Sequence, residues 1–245
     1  MNSGLYNSSF EHDACGIGAI ANIDGKQEHK TITDALFMLE NMEHRGGTGA
    51  DPETGDGAGV LFQLNQEMIK LLTEDEQINI DNDKPLGIGM FFLPKIKSVA
   101  NECLSILEKN ADDLNLVIKG YRDVPVDSKV PGMGAKPVEP AVKQLFIQSK
   151  EELDEAQLER KLFVLRNCST HQVAKEIKAN NKAFYCCSLS CRKITYKGQL
   201  RTDQLRKYYK DLQDPRFKTA YAVIHSRFST NTFPNWKLAQ PFHFV

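Results

Sequence analysis

The sequence has no surplus of either charge. Over 245 residues, 31 Lys and Arg stand against 32 Asp and Glu, a formal net charge of −1. That balance leaves no electrostatic footprint for nucleic acid or an anionic membrane surface. No apolar run approaches the ~20 residues needed to cross a bilayer. Met1–Ala14 has neither the basic start nor the apolar stretch of a secretory signal. Internal repeats and low-complexity tracts are missing as well. The six cysteines, Cys15, Cys103, Cys168, Cys186, Cys187 and Cys191, form no CxxC pair and are scattered through a large chain. That argues against a disulfide framework and against a metal centre at Cys186-Cys187 and Cys191, and it predicts reduced thiols in the cytoplasm.

What is present is enough apolar material, 41% of residues, to bury a core without a staple. The most informative stretch is Ala14-Cys15-Gly16-Ile17-Gly18-Ala19-Ile20-Ala21. A polar, irregular leader gives way there to a small apolar strand, Gly16–Asn22, that opens beside a thiol. A cysteine uncovered at a new chain terminus would carry two reactive groups. Its α-amine titrates near ~8 and its thiol near ~8.5, so one residue supplies nucleophile and base. The alternative is a small buried Cys starting an ordinary strand, the commoner fate of a free Cys.

Asp24-Gly25 marks a tight turn. A helix is expected with Thr33 as its N-cap, Leu36, Leu39 and Met42 on one face, and Gly46-Gly47 as its stop. The block from Gly46 to Gly59 holds six glycines and one proline before the apolar Val60-Leu61-Phe62. Its composition is that of a mobile surface loop or of a place where backbones approach closely. Further along, helices are expected over Asn65–Leu72, Ser98–Lys109 and Thr202–Asp211, the last capped by Thr202. Glu151–Ile177 reads as helical with a break at Ser169-Thr170. Strands are expected over Leu86–Leu93, Leu116–Tyr121, Val142–Gln148, Ala183–Leu189, Arg192–Tyr196 and Thr219–Ser226, with Lys197-Gly198 turning out of the sheet. Consecutive strands outnumber any βαβ rhythm, which predicts an α+β fold of largely antiparallel sheets with helices packed outside. The chain stops on an apolar run at Val245, which predicts a piece of a longer polypeptide.

Three blocks stand in a telling order: Ala14-Cys15-Gly16-Ile17-Gly18; Glu43-His44-Arg45-Gly46-Gly47 with Asp51-Pro52 and Gly55-Asp56-Gly57-Ala58-Gly59; and His225-Ser226-Arg227-Phe228-Ser229-Thr230-Asn231-Thr232. Together they resemble the class II glutamine amidotransferases, and the Asp51–Gly59 block resembles those of the glutamate synthases. The resemblance implies the four-layer αββα sandwich of N-terminal nucleophile hydrolases, incomplete in this chain. It also implies that 1–14 is a propeptide and 15–245 the N-terminal part of an amidotransferase domain that continues further.

By that resemblance Cys15 attacks the glutamine side-chain amide and releases ammonia. Arg227 grips the α-carboxylate, for which a guanidinium fork is suited. Asn231 and Thr232 line the glutamine pocket. Arg45 lies near the thiol, its alternative role being to cap a helix dipole. His225 supports a strand end, and His12 and His44 take no role. No metal or cofactor is implied for this chain. FMN and an iron–sulfur cluster are implied for the remainder of the glutamate synthase large subunit, with a small electron-donating subunit or ferredoxin as partner. The family's oxyanion-hole Asn-Gly pair and its amine-binding Asp are not among these residues, so the piece alone is expected to be an incompetent glutaminase. Two other readings are a different class II enzyme resembling the amidophosphoribosyltransferases, against which the Asp51–Gly59 block argues, and a non-catalytic folding or interaction module.

Overall fold

The computed structural model describes residues 15–177 and 183–242. The leader 1–14, expected as a propeptide, lies outside the described residues, as does the apolar end at 243–245. Among the described residues, eight strands form two antiparallel sheets. The first contains β1 (Gly16–Ala21), β8 (Tyr221–Ser226), β2 (Ala58–Gln63) and β7 (Lys193–Gly198), in that order. The second contains β4 (Leu116–Asp123), β5 (Ala141–Ser149), β3 (Leu86–Leu93) and β6 (Tyr185–Ser190). Helix α1 (His29–Glu40) packs on β1, β2 and β8, and α2 (Gln66–Asp75) buries Met68, Ile69, Leu71 and Leu72 in the same core. Helices α3 (Lys97–Asp113) and α4 (Glu155–Glu176) pack on each other and on the second sheet, and the sheets meet where β7 lies against β6 and β3. Two antiparallel sheets carrying helices are the α+β arrangement that the αββα resemblance implies.

Strand β3 shows why the two sheets hold together. It is apolar throughout, as a strand covered on both faces must be. Successive side chains point to opposite faces. Ile88, Met90 and Phe92 therefore join the core shared with β2, β7 and α1, while Phe91 and Leu93 join α3 and α4. Strand β6 divides its thiols the same way, Cys187 to the first core and Cys186 to the second.

Several local expectations fail because tertiary contacts outweigh local chemistry. Helix α1 begins at His29, ahead of Thr33, because Thr31 and Ile32 are buried and His29 Nδ1 donates to the Phe217 carbonyl at 2.8 Å. It ends at Glu40, and Gly46-Gly47 instead follow a 3-10 turn over Glu43–Arg45. Helix α4 is continuous. Asp154 and Gln157 form its capping box, and Ser169 is buried, accepting from Asn110 Nδ2 of α3 at 3.2 Å rather than capping a second helix. Lys197 and Gly198 belong to β7, and Lys197 is fully buried.

Helix α5 is short, Gln204–Tyr208, and follows Asp203 rather than Thr202. The chain is extended at Tyr209 before a further 3-10 turn, Lys210–Gln213, places Asp211 against β4. There Asp211 takes a two-pronged contact from Arg122, at 2.7 and 2.8 Å, and a hydrogen bond from the Tyr196 hydroxyl at 2.8 Å. Arg122 also donates to Gln144 Oε1 at 3.0 Å. All four side chains are buried, so the carboxylate balances a charge that has left water. We expect Asp211→Ala to destabilise the fold by about 3–5 kcal/mol, since it leaves Arg122 only the longer 3.7 Å ion pair with Glu76. Replacing both Arg122 and Asp211 by apolar residues should cost markedly less. Urea unfolding of the two variants measures the difference; equal losses would contradict it.

Candidate active site

Cys15 stands immediately before β1, half-buried. Gly16 pairs with Ser226, so the start of β1 lies beside the end of β8. This register carries the thiol to the residues after Ser226. The Phe228 N–H donates to Cys15 Sγ at 3.4 Å, and Sγ lies 3.7 Å from the Phe228 carbonyl, an S–H donor geometry. A backbone donor aimed at sulfur can stabilise charge that develops there.

Arg227 is buried between this segment and the glycine-rich block. Its N–H donates to the Gly57 carbonyl at 2.9 Å, and its own carbonyl accepts from Gly47 N at 3.1 Å. Its guanidinium donates to the Asp56 carbonyl at 3.1 Å and to Thr232 Oγ1 at 2.7 Å. Those contacts use two of its five N–H groups. Asp56 is buried too, and its carboxylate accepts from Ser229 N at 2.6 Å.

Two glycines make this packing possible. A Cβ on Gly47 would sit 2.6 Å from the Asp56 carboxyl carbon, inside any allowed contact. Gly57 has φ +147°, a conformation that L side chains rarely adopt. In its second half the block is therefore a place where backbones approach closely, while Thr48 to Ala50 are exposed. Thr48 and Gly55 form a bridge, Thr54 to Gly59 are buried, and Asp51 and Thr54 accept from the backbone of Met133 and Gly134 at 2.7 and 3.0 Å.

Arg45 sits in the 3-10 turn beyond α1, and its stem lies over Gly16, where a Cβ would be 3.0 Å from its own. It is thus next to the residue that follows Cys15 and outside the last turn of α1. Asn231 is exposed, whereas Thr232 is tied to Arg227. Asp56 had no role in the sequence reading. Its signal was present, an Asp between two glycines in a segment that runs straight into a strand.

His225 on β8 is buried opposite Ile17 and Gly59, and its Nδ1 has no hydrogen-bond partner among the described residues. Burial, with the positive charges of Arg227 and Lys197 adding to it, lowers its pKa from 6.5 to about 4. It is neutral at pH 7. The other thiols differ from Cys15 in setting. Burial pushes Cys103 up to about 11 and Cys187 up to about 12, and it also raises Cys186 and Cys191, so all four are protonated at neutral pH.

Among known proteins, the family model described as class-II glutamine amidotransferases matches residues 15–245. The chain is 39% identical over 231 residues to ferredoxin-dependent glutamate synthase 2 of Synechocystis, covering 94% of this chain and 14% of that protein. It is 40% identical over 243 residues to the glutamate synthase [NADPH] large chain of Bacillus subtilis, covering 97% and 15%. It is 39% identical over 255 residues to glutamate synthase [NADH] of Saccharomyces cerevisiae, covering 99% and 12%. The chain thus spans 12–15% of the length of these three relatives.

The buried His225 predicts a pH dependence of stability. Its folded pKa lies below its unfolded value, so between pH 6.5 and about 4 the unfolded chain binds the extra proton. Stability is then complete above pH 6.5 and falls as pH falls through that window. From pH 7.5 to 5 the loss from this one group should be about 2 kcal/mol. His225→Asn should flatten the slope between pH 6.5 and 5 in urea titrations; an unchanged slope would contradict the assignment.

Proposed function

The chain belongs to the class II glutamine amidotransferases, and on that footing we propose that it is the glutaminase part of a glutamate synthase. The observation that carries this reading is the junction of β1 with the end of β8, which sets Cys15 Sγ against the backbone of Phe228, next to a buried Arg227 with donors to spare. Glutamine would lie with its α-carboxylate on the free guanidinium N–H groups and on the Thr232 and Asn231 side of the pocket, and its carboxamide at the sulfur. Arg45, beside Gly16, adds positive charge near the thiol. His225 is neutral and supports the strand end.

The reaction then runs in two steps. Cleavage between Ala14 and Cys15 frees the α-amine, which takes the thiol proton as sulfur attacks the carboxamide carbon. The C–S bond forms, the C–N bond breaks, and the proton passes to the departing nitrogen, which leaves as ammonia. Water opens the thioester to give glutamate and restores the thiol. A backbone donor at sulfur favours the charge that appears on it before attack.

In a glutamate synthase the ammonia would meet 2-oxoglutarate at a second centre. That centre's FMN and iron–sulfur chemistry, implied by the resemblance, would belong to the remainder of the large subunit. Relatives whose names specify ferredoxin, NADPH or NADH match alike, at 36–40% identity. The similarity therefore follows the glutamine half and not the electron donor, and a small subunit or ferredoxin is the partner class for the other half. No helix among the described residues is long and apolar enough to cross a membrane. All six cysteines are unpaired, which favours a reducing compartment, the cytoplasm; some relatives carry chloroplastic names.

In the intact polypeptide, Cys15→Ala should lower glutamine-dependent glutamate formation by more than ~10³-fold while ammonia-dependent formation persists. A diazo-ketone analogue of glutamine should label Cys15 ahead of the exposed Cys168. Equal loss of both activities, or labelling spread over both thiols, would contradict the proposal.

A further inference from the structure

The first sheet buries a cation that no carboxylate among the described residues balances. Lys197 lies on β7 opposite Gly59 of β2 and has no exposed surface. Its Nζ donates to the carbonyl oxygens of Ala239 at 2.7 Å and Lys237 at 3.1 Å, and to the Tyr185 hydroxyl at 3.3 Å. The rings of Tyr185 and Phe242 lie 4.5 and 4.6 Å from it. An ammonium has three donors, and all three end on neutral oxygens. Burying a charge without a counter-ion is costly unless its hydrogen bonds are complete and well placed. Burial brings the pKa of Lys197 down to about 8, with nearby Arg227 acting in the same direction.

Two of the three acceptors belong to one segment, 237–241, and that segment lies on Gly57 and on Gly59 of β2. A Cβ on Gly57 would be 2.9 Å from the Ala239 Cβ, and one on Gly59 would be 3.0 Å from Pro241 Cδ. Gly57 is the residue whose carbonyl holds the Arg227 N–H, and a Cβ there would also lie 3.5 Å from Arg227 Cδ. A continuous chain of contacts thus runs from the Lys197 ammonium through Ala239 and Gly57 to the arginine.

We propose that Lys197 is a positioning residue for the glutamine site: its ammonium straps segment 237–241 across β2, and the strap fixes the peptide that aims Arg227. This inference rests on the reading of Arg227 as the carboxylate-binding group. A solely stabilising lysine would move the unfolding midpoint and leave substrate affinity alone.

The test uses the intact polypeptide with Lys197→Met and Lys197→Gln, the second keeping two neutral donors should the first fail to fold. KM for glutamine should rise about tenfold in the Met variant and less in the Gln variant, with kcat and ammonia-dependent activity retained. Trypsin should cut after the exposed Lys237 about tenfold faster once the strap is loosened. A folded variant with native KM, or with native cleavage at Lys237, would overturn the proposal, as would equal loss of glutamine- and ammonia-dependent activity. The proteolysis reads the strap independently of chemistry, so it still decides the role of Lys197 if Cys15→Ala refutes the glutaminase assignment.

Discussion

Arg227 is held by both ends of its own peptide. Its N–H is bonded to Gly57 and its carbonyl to Gly47, and its guanidinium reaches the carbonyl of Asp56. Two stretches of the glycine-rich block, at Gly47 and at Asp56-Gly57, therefore converge on one residue. The order of residues along β8 does the rest. Once Arg227 is fixed at the end of that strand, Phe228 follows, and β1 is registered so that Cys15 meets the Phe228 peptide. Glycine at 47 is the entry fee for this convergence, because Asp56 occupies the space a side chain would need.

The electrostatic character of this corner follows from the same packing. Arg227, Lys197 and His225 lie close enough to perturb one another, and no ion pair among the described residues involves either Arg227 or Lys197. His225 responds by staying neutral, Lys197 by filling all its donors, and Arg227 by leaving donors unspent. A site of this kind favours an incoming anion, and an amino-acid carboxylate fits the guanidinium fork in charge and shape. The protein thus keeps positive charge uncompensated where its proposed substrate carries a negative one. The buried Arg122–Asp211 pair under the second sheet shows the opposite solution, where the charge is cancelled and serves only the fold.

Much of this was legible in the sequence where one physical signal dominates. Strand β3 is legible to the residue because eight consecutive apolar residues between Pro85 and Pro94 leave a buried strand as the simplest solution. Cys15 and Arg227 stand out through the order of the blocks that resemble the class II amidotransferases, and the register of β1 with β8 brings those two blocks together. Signals that depend on a distant partner were not. Thr33, Ser169 and Thr202 all look like caps, yet α1 and α4 take their ends from burial and from the Asp154–Gln157 box. Lys197-Gly198 reads as a turn because lysine is rarely buried; only the carbonyls of Lys237 and Ala239, some forty residues on, explain it inside a strand. The Gly46–Gly59 block has the composition of a mobile loop, and part of what packs it is Arg227, which is 171 residues from Asp56 in sequence.

The central claim is that one glutamine spans Arg227 and Cys15. The most direct measurement is a crystal structure of the intact polypeptide after reaction with a diazo-ketone analogue of glutamine. We expect a covalent bond from Cys15 Sγ and a two-pronged contact between the analogue's α-carboxylate and Arg227. A covalent adduct on Cys15 whose carboxylate lies elsewhere, with Arg227 still bonded only to Asp56 and Thr232, would contradict it.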